Sequence, residues 1–258
     1  MAEAPRLVDG LKPRPAEEVL NRLVFRPLGH GVVRLLWRTP LRPELLVLAH
    51  GLLGLLAAGM VAYGRDLAAA LLLQLVTVLD NADGQLARAR RQVSLLGRYL
   101  DSEVDLLVHA ALFVALYLRT GDAFGAIFGF AALTLVLSLD YNLAALAAGG
   151  AGPDAAPRPG LEAVLARVYA AVFGWQDRAI RAAERALQRR LGAGDAAWWP
   201  RPFLAFFANL GRTTQFVILG LLLALGRPGA YLGFLQLTVL ALLLVYAVRI
   251  WHAIRSPR

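Results

Sequence analysis

A set of apolar runs, each near the length of a bilayer-spanning helix, constrains this chain more than any other feature. Crossing a hydrocarbon core of about 30 Å takes about 20 helical residues. Six such segments lie at about 45–63, 67–87, 104–119, 123–148, 203–225 and 229–248 of the 258 residues. Only 17% of the residues are charged and 58% are hydrophobic, whereas a soluble domain is about 25% charged. The expected fold is all-α: a six-transmembrane-helix bundle forming one domain over 1–258. Residues 1–44 make an arm, 45–148 spans 1–4, 149–202 a helical insertion between spans 4 and 5, and 203–248 spans 5–6.

Charge placement orients the bundle. The net charge is +9, and 26 of the 27 basic residues are arginine. With the N-terminus inside, segments 1–44, 88–103, 149–202 and 249–258 carry 8, 4, 8 and 3 basic residues, against Arg65, Arg119 and Arg227 outside. Cytoplasmic loops are enriched in Lys and Arg. A multi-pass cell-membrane protein with both termini cytoplasmic is therefore expected. The same rule accounts for the arginines without a nucleic-acid partner, and none is expected. Residues 1–18 contain no apolar stretch, so no cleaved leader is expected. Cysteine is absent, which excludes disulfides, thiolate metal sites and a cysteine nucleophile.

Two inside segments look interfacial. VLNRLVFRPLGHGVVRLLWR (19–38) interleaves apolar residues with Arg22, Arg26, Arg34 and Arg38, the pattern of an amphipathic helix on anionic headgroups. Pro27 and the nearby glycines are expected to break it into two pieces. Residues 161–192 carry charges at helical spacing after a Gly/Pro-rich linker at 149–160, with Trp175, Trp198 and Trp199 nearby.

The chemistry is concentrated in LDNADGQLARARRQVSLLGRYLDSEVD, residues 79–105. Asp80, Asp83, Gly84 and Ala87 share one helical face at i, i+3, i+4 and i+7; Gly97, Asp101 and Asp105 share another at i, i+4 and i+8. A helical hairpin through the basic turn between them brings the two faces together near the inner membrane surface. Four carboxylates there repel one another and resist desolvation, and a divalent cation relieves both problems. Oxygen ligands without cysteine point to Mg²⁺ or Mn²⁺. Gly84 and Ala87 leave room beside the acids, and Arg88 can hold phosphate bidentately. Metal, space and positive charge together suit a diphosphate that is neutralised during displacement.

Written as Asp80-x2-Asp83-Gly84-x2-Ala87-Arg88-x8-Gly97-x3-Asp101-x3-Asp105, the stretch resembles the signature of the CDP-alcohol phosphotransferase family at every defining position. The resemblance implies a six-helix membrane bundle with an N-terminal interfacial helix, usually a homodimer. It implies transfer of a substituted phosphate from a CDP-linked donor, very often CDP-diacylglycerol, to an alcohol with release of CMP. Carried over by position, Asp80, Asp83 and Asp101 bind a pair of divalent metals with Asp105 nearby, and Asp105 is the general base. Asp83, Gly84, Ala87, Arg88 and Gly97 contact or make room for the CDP moiety.

The chain departs from that pattern in two places. Many relatives open the first span with Pro-Asn-x-x-Thr, whereas Pro43 is followed here by Glu44 and Val47. Relatives with phosphorylated acceptors often end the fourth span with Tyr and several Arg; here it ends SLDYNLAALAAGG, with Tyr141 and no arginine. Arg212, within the fifth span, is then the basic candidate for an acceptor or diphosphate phosphate, with Thr213 and Gln215 beside it. Its plain alternatives are a structural pair with a carboxylate such as Asp140, or snorkelling. His109, four residues after Asp105, and His50 in the first span are read first as inter-helix hydrogen-bonding groups, the commoner role of a lone span histidine.

Two other function classes compete. A cation transporter or channel with a carboxylate-lined site predicts acids near the bilayer midplane and often inverted repeats; no repeat is visible here. A membrane scaffold that binds anionic lipid has no use for four aspartates at fixed spacing.

Overall fold

The computed structural model describes residues 5–150 and 156–255. The extreme termini and the middle of the 149–160 linker lie outside the described residues. Those described form helices and connecting turns, with no strand among them.

Four helices are long and apolar enough to cross a membrane: α2 (Pro43–Ala62), α3 (Asp66–Ala89), α5 (Ala123–Ala147) and α11 (Ala230–Arg255). Helices α9 (Arg201–Ala208) and α10 (Arg212–Ala224) meet at a 48° bend and make a fifth if the pair is one span. Helix α4 (Leu95–Thr120) has 26 residues, as many as α11. Arg98, Asp101, Glu103 and Asp105 in its first half, with Arg119 near its end, keep it from being apolar enough, and the hydrophobic segment at 104–119 is its C-terminal part. Among the described residues there are thus four such helices, or five with the bent pair, against six hydrophobic segments in the sequence.

The outward faces are apolar. Leu48 and Leu52 on α2, Leu67 and Leu71 on α3, and Leu237, Leu240 and Leu244 on α11 are all exposed, a surface that suits hydrocarbon and not water. Inside, Leu73, Val76, Leu112, Phe113, Leu116, Phe216, Leu219 and Leu235 form one continuous core between α3, α4, α10 and α11. At one end of that core Arg119 of α4 donates to Asp66 of α3 (2.9 Å) and to the Val61 carbonyl of α2 (3.0 Å).

Helices α2 and α4 approach closely because α2 presents glycine. A Cβ on Gly54 would lie 2.7 Å from both methyls of Val108, and one on Gly51 would overlap Val104. Small residues let membrane helices approach backbone to backbone.

The arm packs across α3. Helix α1 (Arg26–Leu36) buries Gly29 and Val33, and a Cβ on Gly29 would lie 3.0 Å from Asn81 Cβ. Pro27 does not break this segment as its sequence suggests. A π-helical turn at Asn21–Phe25 runs directly into α1, with the Arg26 N–H reaching the Asn21 carbonyl. The wider turn absorbs the donor Pro27 lacks and relieves its ring clash with the preceding turn.

The insertion forms α6 (Leu161–Tyr169), a π-helical turn (Ala170–Gly174), α7 (Trp175–Leu191) and the short α8 (Asp195–Trp198). It is docked, not free. Asn142 of α5 donates to Asp177 (2.7 Å) and accepts from Arg181 (2.6 Å). Buried Glu184 accepts from Trp198, Tyr246 and Arg249 at 2.9–3.2 Å, and the Arg249 guanidinium lies 4.1 Å from the ring centroids of Trp198 and Phe203.

Gly54→Leu forces side chains into the α2–α4 contact, an overpacking cost of about 1–3 kcal/mol or more. Thermal unfolding in detergent is expected to show a clearly lowered midpoint for Gly54→Leu. Gly233→Leu, where a Cβ meets nothing within 4 Å, is expected to leave it unchanged.

Candidate metal centre and active site

Three helices build the site. Asp80 and Asp83 project from the second half of α3, Asp101 and Asp105 from the first half of α4, and His50 from α2 beside the close-packed Gly51. One ligand atom from each of His50, Asp80, Asp83 and Asp101 lies within 4.8 Å of all the others, so these four could hold a metal ion. His50 Nε2 is 3.1 Å from Asp83 Oδ2 and 3.6 Å from Asp101 Oδ1. Asp105 stands outside that quartet, paired with Arg212, whose guanidinium also pairs with Asp80. Arg212 therefore ties α3 to α4.

Arg212 reaches the acids because the α9–α10 break sets it at the first position of α10. The bare helix start is held by Glu18 of the arm, which accepts from the Thr214 N–H at 2.5 Å. A carboxylate suits the positive end of a helix dipole. Burial nevertheless pushes the Glu18 carboxyl above its ordinary range, with the hydrogen bonds from Thr214 and Thr213 pulling the other way. The pairing of Arg212 with Asp140 considered from sequence does not form; Asp140 accepts from Arg14 at 2.7 Å.

The remaining motif residues have local roles. Gly84 leaves room for the Arg88 guanidinium, which a Cβ there would meet at 3.1 Å. Arg88 Nε donates to the Gly10 carbonyl at 2.6 Å, tying the arm to α3. Ala87 is half-buried, and its carbonyl accepts from the Gln92 N–H in the turn where Arg91 takes φ 57°. The Gly97 N–H donates to the Ser94 hydroxyl (2.9 Å), which caps α4 and itself donates to Glu44 (3.0 Å). Glu44, a departure from the family pattern, thus anchors the α3–α4 turn to the start of α2. Arg90 binds the carbonyls of Leu36, Trp37, Thr39 and Leu41, fixing the α1–α2 connector.

Two groups were not placed at the site by the sequence reading: His50, read first as an inter-helix hydrogen-bonding group, and Lys12. His50 is fully buried against the acids; the signal that could have found it is its place beside Gly51 and Gly54, which mark the helix face turned inward. Lys12 belongs to a basic group at the edge of the site: burial first, then the Arg14, Arg88 and Arg98 guanidiniums, push its ammonium below its ordinary value. No local pattern singles out Lys12. His109 is buried edge-on to Phe216, ring centroids 5.6 Å apart, and its Nε2 has no hydrogen-bond partner.

The family model for CDP-alcohol phosphatidyltransferases matches residues 41–251, which include His50, the four aspartates and Arg212. The chain belongs to that family. A protein of Rubrobacter xylanophilus named "Bifunctional IPC transferase and DIPP synthase" is 36% identical over 106 residues, 41% of this chain and 24% of that relative. The "Inner membrane protein YnjF" of Escherichia coli K12 is 39% identical over 86 residues, 33% of this chain and 41% of its own length. The matched stretch thus covers less than half of either relative. The transporter or channel alternative finds no support: this CDP-alcohol phosphatidyltransferase family member gathers its acids in one cluster tied off by Arg212, not along a path. With its spanning helices and this family domain, it is a multi-pass membrane protein.

Arg212→Leu leaves Asp80 and Asp105 facing each other without their cation. Breaking such a pair costs about 3 kcal/mol, the low end for buried pairs because these side chains are partly exposed. Thermal unfolding in detergent is expected to show that loss. Adding Asp80→Asn and Asp105→Asn to Arg212→Leu is expected to restore most of it.

Proposed function

We propose that this chain is an integral-membrane CDP-alcohol phosphotransferase that moves a phosphatidyl group from CDP-diacylglycerol to an alcohol and releases CMP. The observation that carries this reading is the convergence of His50, Asp80, Asp83 and Asp101 on one small volume in a member of this family. In the proposed topology the chain crosses the cell membrane six times, with α4 as the third span and α9–α10 as the fifth. Both termini and the 149–202 insertion are cytoplasmic, a reading supported by the arginine asymmetry. The arm lies at that interface, where exposed Leu23, Leu28 and Leu35 meet lipid. The working unit is a homodimer, as the family resemblance implies.

Asp80, Asp83 and Asp101, with Asp105 at their edge, hold two divalent cations, Mg²⁺ or Mn²⁺. The donor set fits: Asp83 Oδ2 and Asp101 Oδ1 are buried without a hydrogen-bond partner. When bound, such cations neutralise a diphosphate and stabilise CMP as it leaves. Asp105 accepts the proton of the acceptor hydroxyl. The acceptor oxygen bonds to the phosphorus that carries diacylglycerol, and the bridging P–O bond breaks with its oxygen leaving on CMP. Arg212 orients Asp105 and offers its other N–H donors to a phosphate oxygen. Gly84, Ala87, Arg88 and Gly97 line the CDP side, and Lys12 adds positive charge there. The same chemistry runs with CDP on a small alcohol and diacylglycerol as acceptor, so the test covers both orientations.

Detergent-purified protein with Mg²⁺ or Mn²⁺, a CDP-linked donor and a panel of alcohols is expected to release CMP, stimulated by one acceptor. Asp80→Asn and Asp105→Asn are each expected to lower the rate by about 10²-fold or more. Absence of CMP release from CDP-diacylglycerol and from CDP-linked small alcohols with diacylglycerol would contradict the assignment.

A further inference from the structure

We propose that His50 is a nitrogen ligand of the divalent-cation site, which makes that site a mixed nitrogen–oxygen centre favouring Mn²⁺ over Mg²⁺. The inference rests on the metal reading above and extends it to a residue outside the 80–105 motif, on a third helix.

Burial comes first. His50 has no exposed surface, yet neither ring nitrogen has a hydrogen-bond partner. A lone span histidine ordinarily bonds a carbonyl or side chain of a neighbouring helix; the polar groups this one faces are two carboxylates, which it meets as an ion pair when the ring is protonated and without a formed hydrogen bond. Its Nε2 lies at contact distance from Asp83 Oδ2 (3.1 Å) and Asp101 Oδ1 (3.6 Å), and both of those oxygens also lack hydrogen-bond partners. Three heteroatoms from three helices thus face one volume without a formed hydrogen bond among them, balanced by one another only as an ion pair with the ring protonated. One cation, to which all three supply lone pairs, satisfies them together.

Packing then fixes the imidazole. Gly51 and Gly54 bring α2 against Val104 and Val108 of α4, one to two turns from Asp101. The close contact that determines the α2–α4 spacing also sets the ring beside the acids. Ligand chemistry gives the consequence. Mg²⁺ prefers carboxylate, carbonyl and water oxygens in a strict octahedron, whereas imidazole nitrogen is a ligand for first-row transition ions, so adding it to a carboxylate site moves the preference from Mg²⁺ toward Mn²⁺, the transition ion that accepts both donor types.

The test reads ligation directly. Detergent-purified protein loaded with Mn²⁺ alone is examined by electron spin echo envelope modulation, which detects nitrogen bound to manganese. Histidine-derived ¹⁴N modulation is expected in the wild type and absent in His50→Asn. Mn²⁺ affinity is expected to fall roughly tenfold or more in that variant, with Mg²⁺ affinity, measured by competition, nearly unchanged. Should His50→Asn fail to fold, a second variant answers the question. His30, His109 and His252 replaced by Gln leave His50 as the only one of the 4 histidines, and its signal is expected to persist. Bound Mn²⁺ without nitrogen modulation in the wild type would overturn the proposal and leave the aspartate site standing, with His50 a structural counter-ion. No Mn²⁺ bound at all would overturn both the proposal and the metal reading.

Discussion

Everything in this molecule is arranged around the cost of holding four carboxylates together at the end of a hydrophobic bundle. Asp80, Asp83, Asp101 and Asp105 come from two helices joined by a short basic turn, and in low dielectric their mutual repulsion opposes the hairpin that brings them together. Arg212 offsets part of that repulsion by pairing with one acid from each helix. His50 occupies the other side, between Asp83 and Asp101. A divalent cation is the natural completion of such a cluster, because two acid oxygens and the imidazole are buried without hydrogen-bond partners.

The supporting structure follows from keeping this cluster in register. Glycines on α2 admit α4 at close range, and Glu44 pins the α3–α4 turn through Ser94. Arg88 and Arg90 spend their donors on backbone carbonyls of the arm and connector, not on the acids. Glu18 holds the start of α10 and so sets the root of the Arg212 side chain. Polar residues therefore perform at the site the work that apolar packing performs through the rest of the bundle.

Local periodicity made part of this legible in the sequence. The i, i+3 and i, i+4 spacing of the aspartates implied two converging faces, and the structure brings those faces together. The all-helical class followed from the length of the apolar runs. What escaped was anything settled by a partner distant in the chain. Arg212 had several candidate partners, and only the bend after α9 shows that it meets Asp80 and Asp105, more than a hundred residues away. His50 carried no motif, and its role depends on how closely α2 lies against α4. Pro27 looked like a break because a wide π-helical turn is not visible in composition. Segment 104–119 was apolar enough to count, but it is the C-terminal part of a longer helix whose first turns are charged.

The claim at the centre of this account is that the acid cluster binds CDP-linked substrate by way of a divalent cation. Calorimetric titration of CDP into detergent-purified protein, with Mn²⁺ and then with chelator, tests it most directly. The account predicts saturable CDP binding that requires Mn²⁺ and is lost in Asp83→Asn. Equal CDP binding with and without the metal, or undiminished binding in Asp83→Asn, would contradict it.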